Sequence, residues 1–212
     1  MIPALEALAH LRDGNRRFVA VRSATTPLAS QARRTELVSG QEPFAIILGC
    51  SDSRVPAELV FDQGFGDLFV IRVAGNIVAP SQIGSVEFAA ARFGTRLVVV
   101  LGHSQCGAVG ATLEELLGHA TTESKNLRSI VDRVRPAVEP LLEGPSRDDP
   151  EALIRAAVLA NVRASVDQLR HGSALLERLI ETDGLLVVGA KYSLETGVVS
   201  FLEGVAHGGL SR

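Results

Sequence analysis

Residues 45–56 read A-I-I-L-G-C-S-D-S-R-V-P, and this stretch decides the fold. Apolar side chains run without a polar break into Gly49. A thiol, a carboxylate and a guanidinium then follow on alternate positions, as Cys50, Asp52 and Arg54. A short apolar run bounded by a turn reads as a strand buried on both faces, the kind found in parallel sheets covered by helices. In such sheets the chemistry collects at the carboxyl ends of the strands. The same arrangement recurs further along, where L-V-V-V-L at 97–101 runs into Gly102, His103 and Cys106. The chain holds two cysteines, and both fall at these two strand ends.

Outward from 45–56, helical and strand patterns alternate. Residues 3–21 predict a helix with Leu5, Leu8, Leu11, Asn15 and Phe18 on one face and Arg12, Arg16 and Arg17 on the other. Gly14 weakens that helix by up to ~1 kcal/mol relative to Ala. The segment 21–29 has no periodicity and reads as an extended arm. The helix and arm together (1–29) are expected to protrude and to bury their apolar stripe on a neighbouring subunit. A short helix follows between a Ser30 cap and Gly40. The first strand is 44–49; a helical turn starts at Pro56, and 62–66 is a turn. A strand at 67–73 leads to a helix capped by Ser81 and stopped at Gly94, then a strand at 96–101. A helix over 106–117 turns Ala108, Leu113 and Leu116 inward.

Beyond the polar link 118–124 lies a helix over 125–142 interrupted by Pro136 and Pro140. A loop at 144–149 precedes a helix at 150–170 with Leu153, Ala157, Ala160, Ala164 and 166–169 on one face. A helix at 173–182, a strand at 185–188 and a returning strand at 196–202 complete the pattern. It specifies an α/β fold: a mostly parallel central sheet with an antiparallel edge strand, flanked by helices, as a single domain over 1–212.

Composition excludes several classes of function. A net charge of −3 gives no basic footprint, so no nucleic-acid partner is expected. No apolar run approaches the ~18–20 residues that cross a bilayer, so no membrane partner is expected. The N-terminus lacks a basic region leading into an apolar one, and two cysteines do not make a disulfide framework. A reducing cytoplasmic setting is the expectation, and it leaves both thiols available to a metal.

Catalytic zinc sites take three protein ligands and keep a fourth position open, and two Cys with one His is an established set. Adjacent parallel strands lie ~4.8 Å apart, so Cys50 can meet His103 and Cys106 on one ion. Buried cysteines also serve as small packing residues. That reading leaves unexplained why each follows a strand with polar partners two or three residues away. Two thiolates and a neutral imidazole cancel the charge of Zn²⁺, so water at the open position wants a hydrogen-bond acceptor. Asp52 suits that role. It is also an alternative fourth ligand that would close the site, unless Arg54 holds it back through a bidentate pair.

At C-S-D-S-R and H-S-Q-C the sequence resembles the β-class carbonic anhydrases, from the N-terminal helix to Y-S-L-E-T-G-V-V. The resemblance implies one Zn²⁺ per chain on Cys50, His103 and Cys106, with an Asp52–Arg54 dyad. It implies reversible hydration of CO₂ to bicarbonate and a proton by attack of zinc hydroxide on CO₂. A homo-oligomer, a dimer or a dimer of dimers, follows, with N-terminal helices embracing the partner. The family's CO₂ pocket falls here on Gln41, Phe69, Ala74, Phe88 and Gly107, the glutamine crossing the dimer interface. A regulatory bicarbonate pocket of some bacterial members would use Arg72 and Tyr192, but Ile47 stands at its Trp position. None of His10, His119, His171 and His207 is assigned as a proton shuttle. Two alternatives stand beside CO₂ hydration: hydrolysis of CS₂ or COS on the same zinc, and a non-catalytic zinc-containing bicarbonate sensor.

Overall fold

The computed structural model describes residues 2–22 and 30–202. A five-stranded sheet runs in the order β2-β1-β3-β4-β5. Its strands are β1 (Ala45–Gly49), β2 (Leu68–Arg72), β3 (Leu97–His103), β4 (Leu186–Tyr192) and β5 (Val199–Phe201). The first four are parallel, and β5 pairs antiparallel with β4. β1 and β3 are buried at every position because each is flanked by strands and covered on both faces. Alternation divides their side chains. Ala45, Ile47, Leu97, Val99 and Leu101 enter one core, while Ile46, Leu48, Val98 and Val100 enter the other.

Helices fill both sides. Helix α1 (Ala4–Val19) lies on the first face, and α2 (Gln31–Glu36) and α3 (Ala57–Val60) follow in the chain. The second face packs against α4 (Pro80–Arg92), α7 (Pro150–His171) and α8 (Ala174–Thr182). Helices α5 (Gly107–Leu116) and α6 (Lys125–Val138) join α7 in a third core that contains Cys50 and Cys106. This third core sits at the carboxyl ends of β1 and β3, where the reactive residues emerge.

The architecture matches the expected α/β sheet with its antiparallel edge strand. Several details are corrected. β3 and β4 extend through His103 and Tyr192, because pairing in register continues to the last residue of each. The helix expected after Ser81 begins at Pro80, since proline's missing N–H costs nothing in a first helical turn. In α5 Leu113 is buried as expected, together with Val109 and Thr112, while Ala108 and Leu116 are partly buried against the same core. Pro136 lies within α6, and the 3₁₀ turn Glu139–Glu143 takes Pro140.

The largest correction concerns α1. Its stripe is Ala4, Ala7, Leu8 and Leu11, buried on this chain's own sheet, while Leu5 is 64% exposed. Asn15 joins the helix to the far end of the chain: Nδ2 donates to Val60 O (3.0 Å) and Gly197 O (2.9 Å), and Oδ1 accepts from Val199 N (2.9 Å). Arg17 Nε donates to the fully buried Asp62 at 2.6 Å. The arm over 23–29 and His207 lie outside the described residues.

Gly14 gains its reason here. A Cβ at this position would sit 1.8 Å from Phe61 O, a backbone atom that cannot swing away. Helix propensity favours Ala by ~1 kcal/mol, but overpacking costs about 1–3 kcal/mol. Gly14→Ala is therefore expected to destabilise the fold, read as a lower urea midpoint with an unchanged slope. A higher midpoint would contradict this packing.

Candidate metal centre

Cys50 follows β1 directly, and Gly49 pairs with Leu101 on one side and Arg72 on the other. β3 runs two residues further to His103, and the backbone then turns through Gln105 in a left-handed conformation (φ 54°). Cys106 sits at the N-cap of α5. The loop brings the thiols of Cys50 and Cys106 and the His103 ring together, with all three donor atoms within 4.8 Å of one another. Each residue is no more than 5% exposed.

The chemistry of these donors fits a metal ion. His103 Nδ1 lies 2.9 Å from Ser104 O, a carbonyl that can only accept, so Nδ1 carries the proton. The other nitrogen, Nε2, is then a bare lone pair, buried and without a protein partner. A buried unsatisfied polar atom costs about 1–3 kcal/mol, and a cation relieves it. The two cysteines are free thiols. Their mutual hydrogen bond, the main influence on both, holds Cys50 toward thiolate and raises Cys106, whose burial adds to the rise. Gly75 N–H also donates to Cys50 Sγ at 3.4 Å. Zinc bonds sulfur at about 2.3 Å and imidazole at about 2.0 Å, so donors gathered this closely meet one ion after small rotations.

Beside them stands the acid–guanidinium pair. Arg54 Nε donates to Asp52 Oδ1 (2.9 Å), Nη2 to Oδ2 (2.7 Å), and the Arg54 backbone N–H to Oδ1 (2.9 Å). Arg54 thereby holds the Asp52 carboxyl well below the usual carboxylate range. Asp52 Oδ2 lies 3.9 Å from His103 Nε2, so the carboxylate borders the site without entering it.

Two further residues grip these loops. Arg72 Nε donates to Cys50 O (3.0 Å) and Nη2 to Asp52 O (2.6 Å), clamping the turn that carries the thiol and the acid. Glu195 accepts from Ser104 Oγ (3.1 Å), Gln105 Nε2 (3.2 Å) and Ser193 Oγ (2.9 Å), which ties the 104–105 turn to the turn after β4. No local pattern points to Glu195, because Ser104 and Gln105 come from a strand end ~90 positions earlier.

The remaining expected site residues divide. Ala74 precedes Gly75 and Gly107 follows Cys106, so both adjoin the Cys50–His103–Cys106 cluster. Phe69 pairs with Ile46, three residues before Gly49, roughly 10 Å back along the sheet. It packs with Phe88 and Phe93, with ring centroids at 6.2 and 6.0 Å. Gln41 lies in a surface depression lined also by Arg33 and Glu36. Within one chain these three are not gathered at the Cys50–His103–Cys106 cluster. Arg72 and Tyr192 are separated by two strands, β1 and β3. Tyr192 is buried beside Phe18, in the same core as Ile47.

Comparison with known proteins agrees with this geometry. The sequence model described as carbonic anhydrase matches residues 45–199. Carbonic anhydrase 2 of Mycobacterium tuberculosis is 40% identical over 187 residues, spanning 88% of this chain and 87% of that protein. The β-carbonic anhydrase CafA of Aspergillus fumigatus superposes with a TM-score of 0.70 at 29% identity, covering 94% of this chain and 90% of that one. A tetrameric β-carbonic anhydrase of Sordaria macrospora shares the fold, with a TM-score of 0.73 at 24% identity over 81% and 86% of the two chains. Twin strand ends carrying C-x-D-x-R and H-x-x-C, the sheet order and these relatives converge: the chain belongs to the β class of the carbonic anhydrase family of enzymes.

Proposed function

We propose that this chain catalyses the reversible hydration of CO₂ to bicarbonate and a proton at one zinc ion held by Cys50, His103 and Cys106. The observation that carries the reading is the buried, partnerless His103 Nε2 converging with two thiols beside an Arg54-held carboxylate. Zinc supplies Lewis acidity that ionises water near neutral pH. The chain's own residues do the rest. Asp52, ionised and aimed at the site, accepts the proton side of the attacking water and so turns its lone pair toward the substrate. Arg54 occupies both carboxylate oxygens and keeps Asp52 from taking the open position. Ala74 and Gly107 form the small-residue wall against which an apolar CO₂ rests.

The remaining pocket residues, Phe69, Phe88 and Gln41, come from a second copy of the chain in this reading. Phe88 is 53% exposed although it meets Phe93 edge-on and Phe69 at a tilt, so a partner surface would remove an aromatic patch from water. The protein is accordingly a homo-oligomer, a dimer or a dimer of dimers. The cytoplasm is its expected location; among the described residues no helix is long and apolar enough to cross a membrane. Arg72 and Tyr192 are left out of any regulatory bicarbonate pocket, because Arg72 is engaged by two carbonyls and Tyr192 is packed in the core.

Stopped-flow CO₂ hydration run beside sulfide release from CS₂ and COS tests the activity. CO₂ turnover with little sulfide supports the proposal, and the reverse replaces it with CS₂ or COS hydrolysis. A zinc-loaded chain with neither activity would favour the sensor alternative, against which the intact Asp52–Arg54 pair argues.

The pH profile carries its own expectation. Arg54 lowers the folded-state pKa of Asp52, so the pair's stabilisation is present above the ordinary carboxylate range and lost only in strong acid. Asp52 is therefore not the group that titrates near neutrality. kcat/KM should rise over about pH 6–9 as water at the metal ionises. Asp52→Asn removes a neighbouring negative charge and should move the midpoint to lower pH. Disappearance of the rise in that variant would make Asp52 the titrating group.

A further inference from the structure

Along α7 the buried stripe steps by four residues: Leu153, Ala157, Asn161, Ser165 and Leu169. The two polar members are 2% and 4% exposed, between Leu153 and Ala157 in the third core and Leu169 on the second face of the sheet. Burying an amide and a hydroxyl there costs free energy unless both are bonded. Both are, and to a single turn. Asn161 Nδ2 donates to Gly75 O at 2.8 Å, and Ser165 Oγ donates to Asn76 O at 3.1 Å.

That turn, Ala74–Asn76, is unusual backbone. Gly75 (φ 71°) and Asn76 (φ 44°) are both left-handed. Such a conformation in a residue other than glycine costs on the order of 1–3 kcal/mol and persists only when its surroundings hold it. A Cβ on Gly75 would lie 3.1 Å from the Ala108 Cβ, so the turn is also pressed against α5. The consequence is directional: the Gly75 N–H points at Cys50 Sγ, 3.4 Å away.

We infer that Asn161 and Ser165 are positioning residues that hold the 74–76 turn in place, so that the Gly75 N–H hydrogen-bonds the Cys50 sulfur and sets its strength as a metal ligand. The inference rests on the metal reading above. Neither side chain touches a ligand atom; both act through the turn, Asn161 on the carbonyl of Gly75 itself and Ser165 on the next one, Asn76. An N–H donated to a thiolate withdraws charge from sulfur, which weakens its donation and leaves the metal a stronger Lewis acid. Partners one layer beyond the ligands carry effects of about 10–100-fold in affinity or activity.

Cobalt(II)-substituted protein reads the sulfur directly, through its thiolate-to-metal charge-transfer absorption. Loss of the hydrogen bond raises the sulfur lone pairs in energy. Asn161→Leu is therefore expected to move the band to longer wavelength and to lower kcat about ten-fold with KM little changed. Ser165→Ala, which frees a carbonyl one residue further from the Gly75 N–H, should shift the band in the same direction by less. It carries the test if Asn161→Leu does not fold, as judged by the cooperativity of thermal unfolding. Folded variants with the wild-type band would overturn the inference and leave the metal reading standing. A wild-type protein with no thiolate-to-cobalt band would overturn both.

Discussion

Cys106→Ser is expected to strip the chain of zinc and abolish CO₂ hydration while leaving a folded protein. Purified wild type should carry about one zinc per chain, and the variant below about a tenth of that. The physical reason is the donor atom. A thiolate neutralises charge and bonds zinc strongly, whereas a serine hydroxyl stays protonated and is a poor ligand. Sterically the exchange is small. Cys106 is 2% exposed and its side chain makes no capping hydrogen bond to α5, so a hydroxyl can satisfy itself at the helix N-terminus. Metal analysis beside thermal unfolding separates the two effects. A folded variant that retains more than about half its zinc would refute the assigned site.

The second large effect belongs to the acid and its keeper, and the two variants should fail differently. Asp52→Asn keeps the metal and loses about 10²-fold or more in kcat, a typical contribution for a positioned proton acceptor. Its amide oxygen can still accept from Arg54, which leaves the NH₂ facing the site, a donor where an acceptor is needed. Arg54→Leu leaves the carboxylate's Oδ1 on the residue-54 backbone N–H but frees its Oδ2, which is 3.9 Å from His103 Nε2. Without the guanidinium its pKa returns upward toward the ordinary carboxylate range, still well below neutrality, so it remains charged and free to occupy the open position. Activity should fall by a similar factor. Zinc should then leave to a chelator more slowly than from wild type, because four protein ligands hold it, whereas Asp52→Asn should not slow release. Equal release rates for both variants would remove the guarding role given to Arg54.

Much of this site was legible because its chemistry is local in sequence. Cys50, Asp52 and Arg54 lie within five residues, and His103 and Cys106 within four, each set following a strand whose apolar run is unmistakable. Glu195, Asn161 and the clamping bonds of Arg72 were not legible in the same way. Apart from Ser193 beside Glu195, their partners lie 20 to 91 residues away, and only the sheet order brings them into reach. Asn161 and Ser165 did leave a trace, as polar residues on the inward stripe of α7. Reading the helix face through Ala160 and Ala164 passed over it, because alanine fits either side of a helix.

The N-terminal helix marks the same boundary. Its amphipathic period was plain in the sequence, but period alone does not say which apolar surface a stripe meets. Gly14 answered that through its contact with the Phe61 carbonyl, as did Asn15 by bonding Val60, Gly197 and Val199. The strands, the proposed ligands Cys50, His103 and Cys106, and the proposed Asp52–Arg54 dyad could be read from the chain alone, because hydrophobic period and side-chain chemistry are properties of neighbouring residues. What only the tertiary structure decided was where α1 packs, which nitrogen of His103 is free, and what holds each loop. Those depend on hydrogen bonds and close contacts between segments far apart in the chain, and no local pattern encodes them.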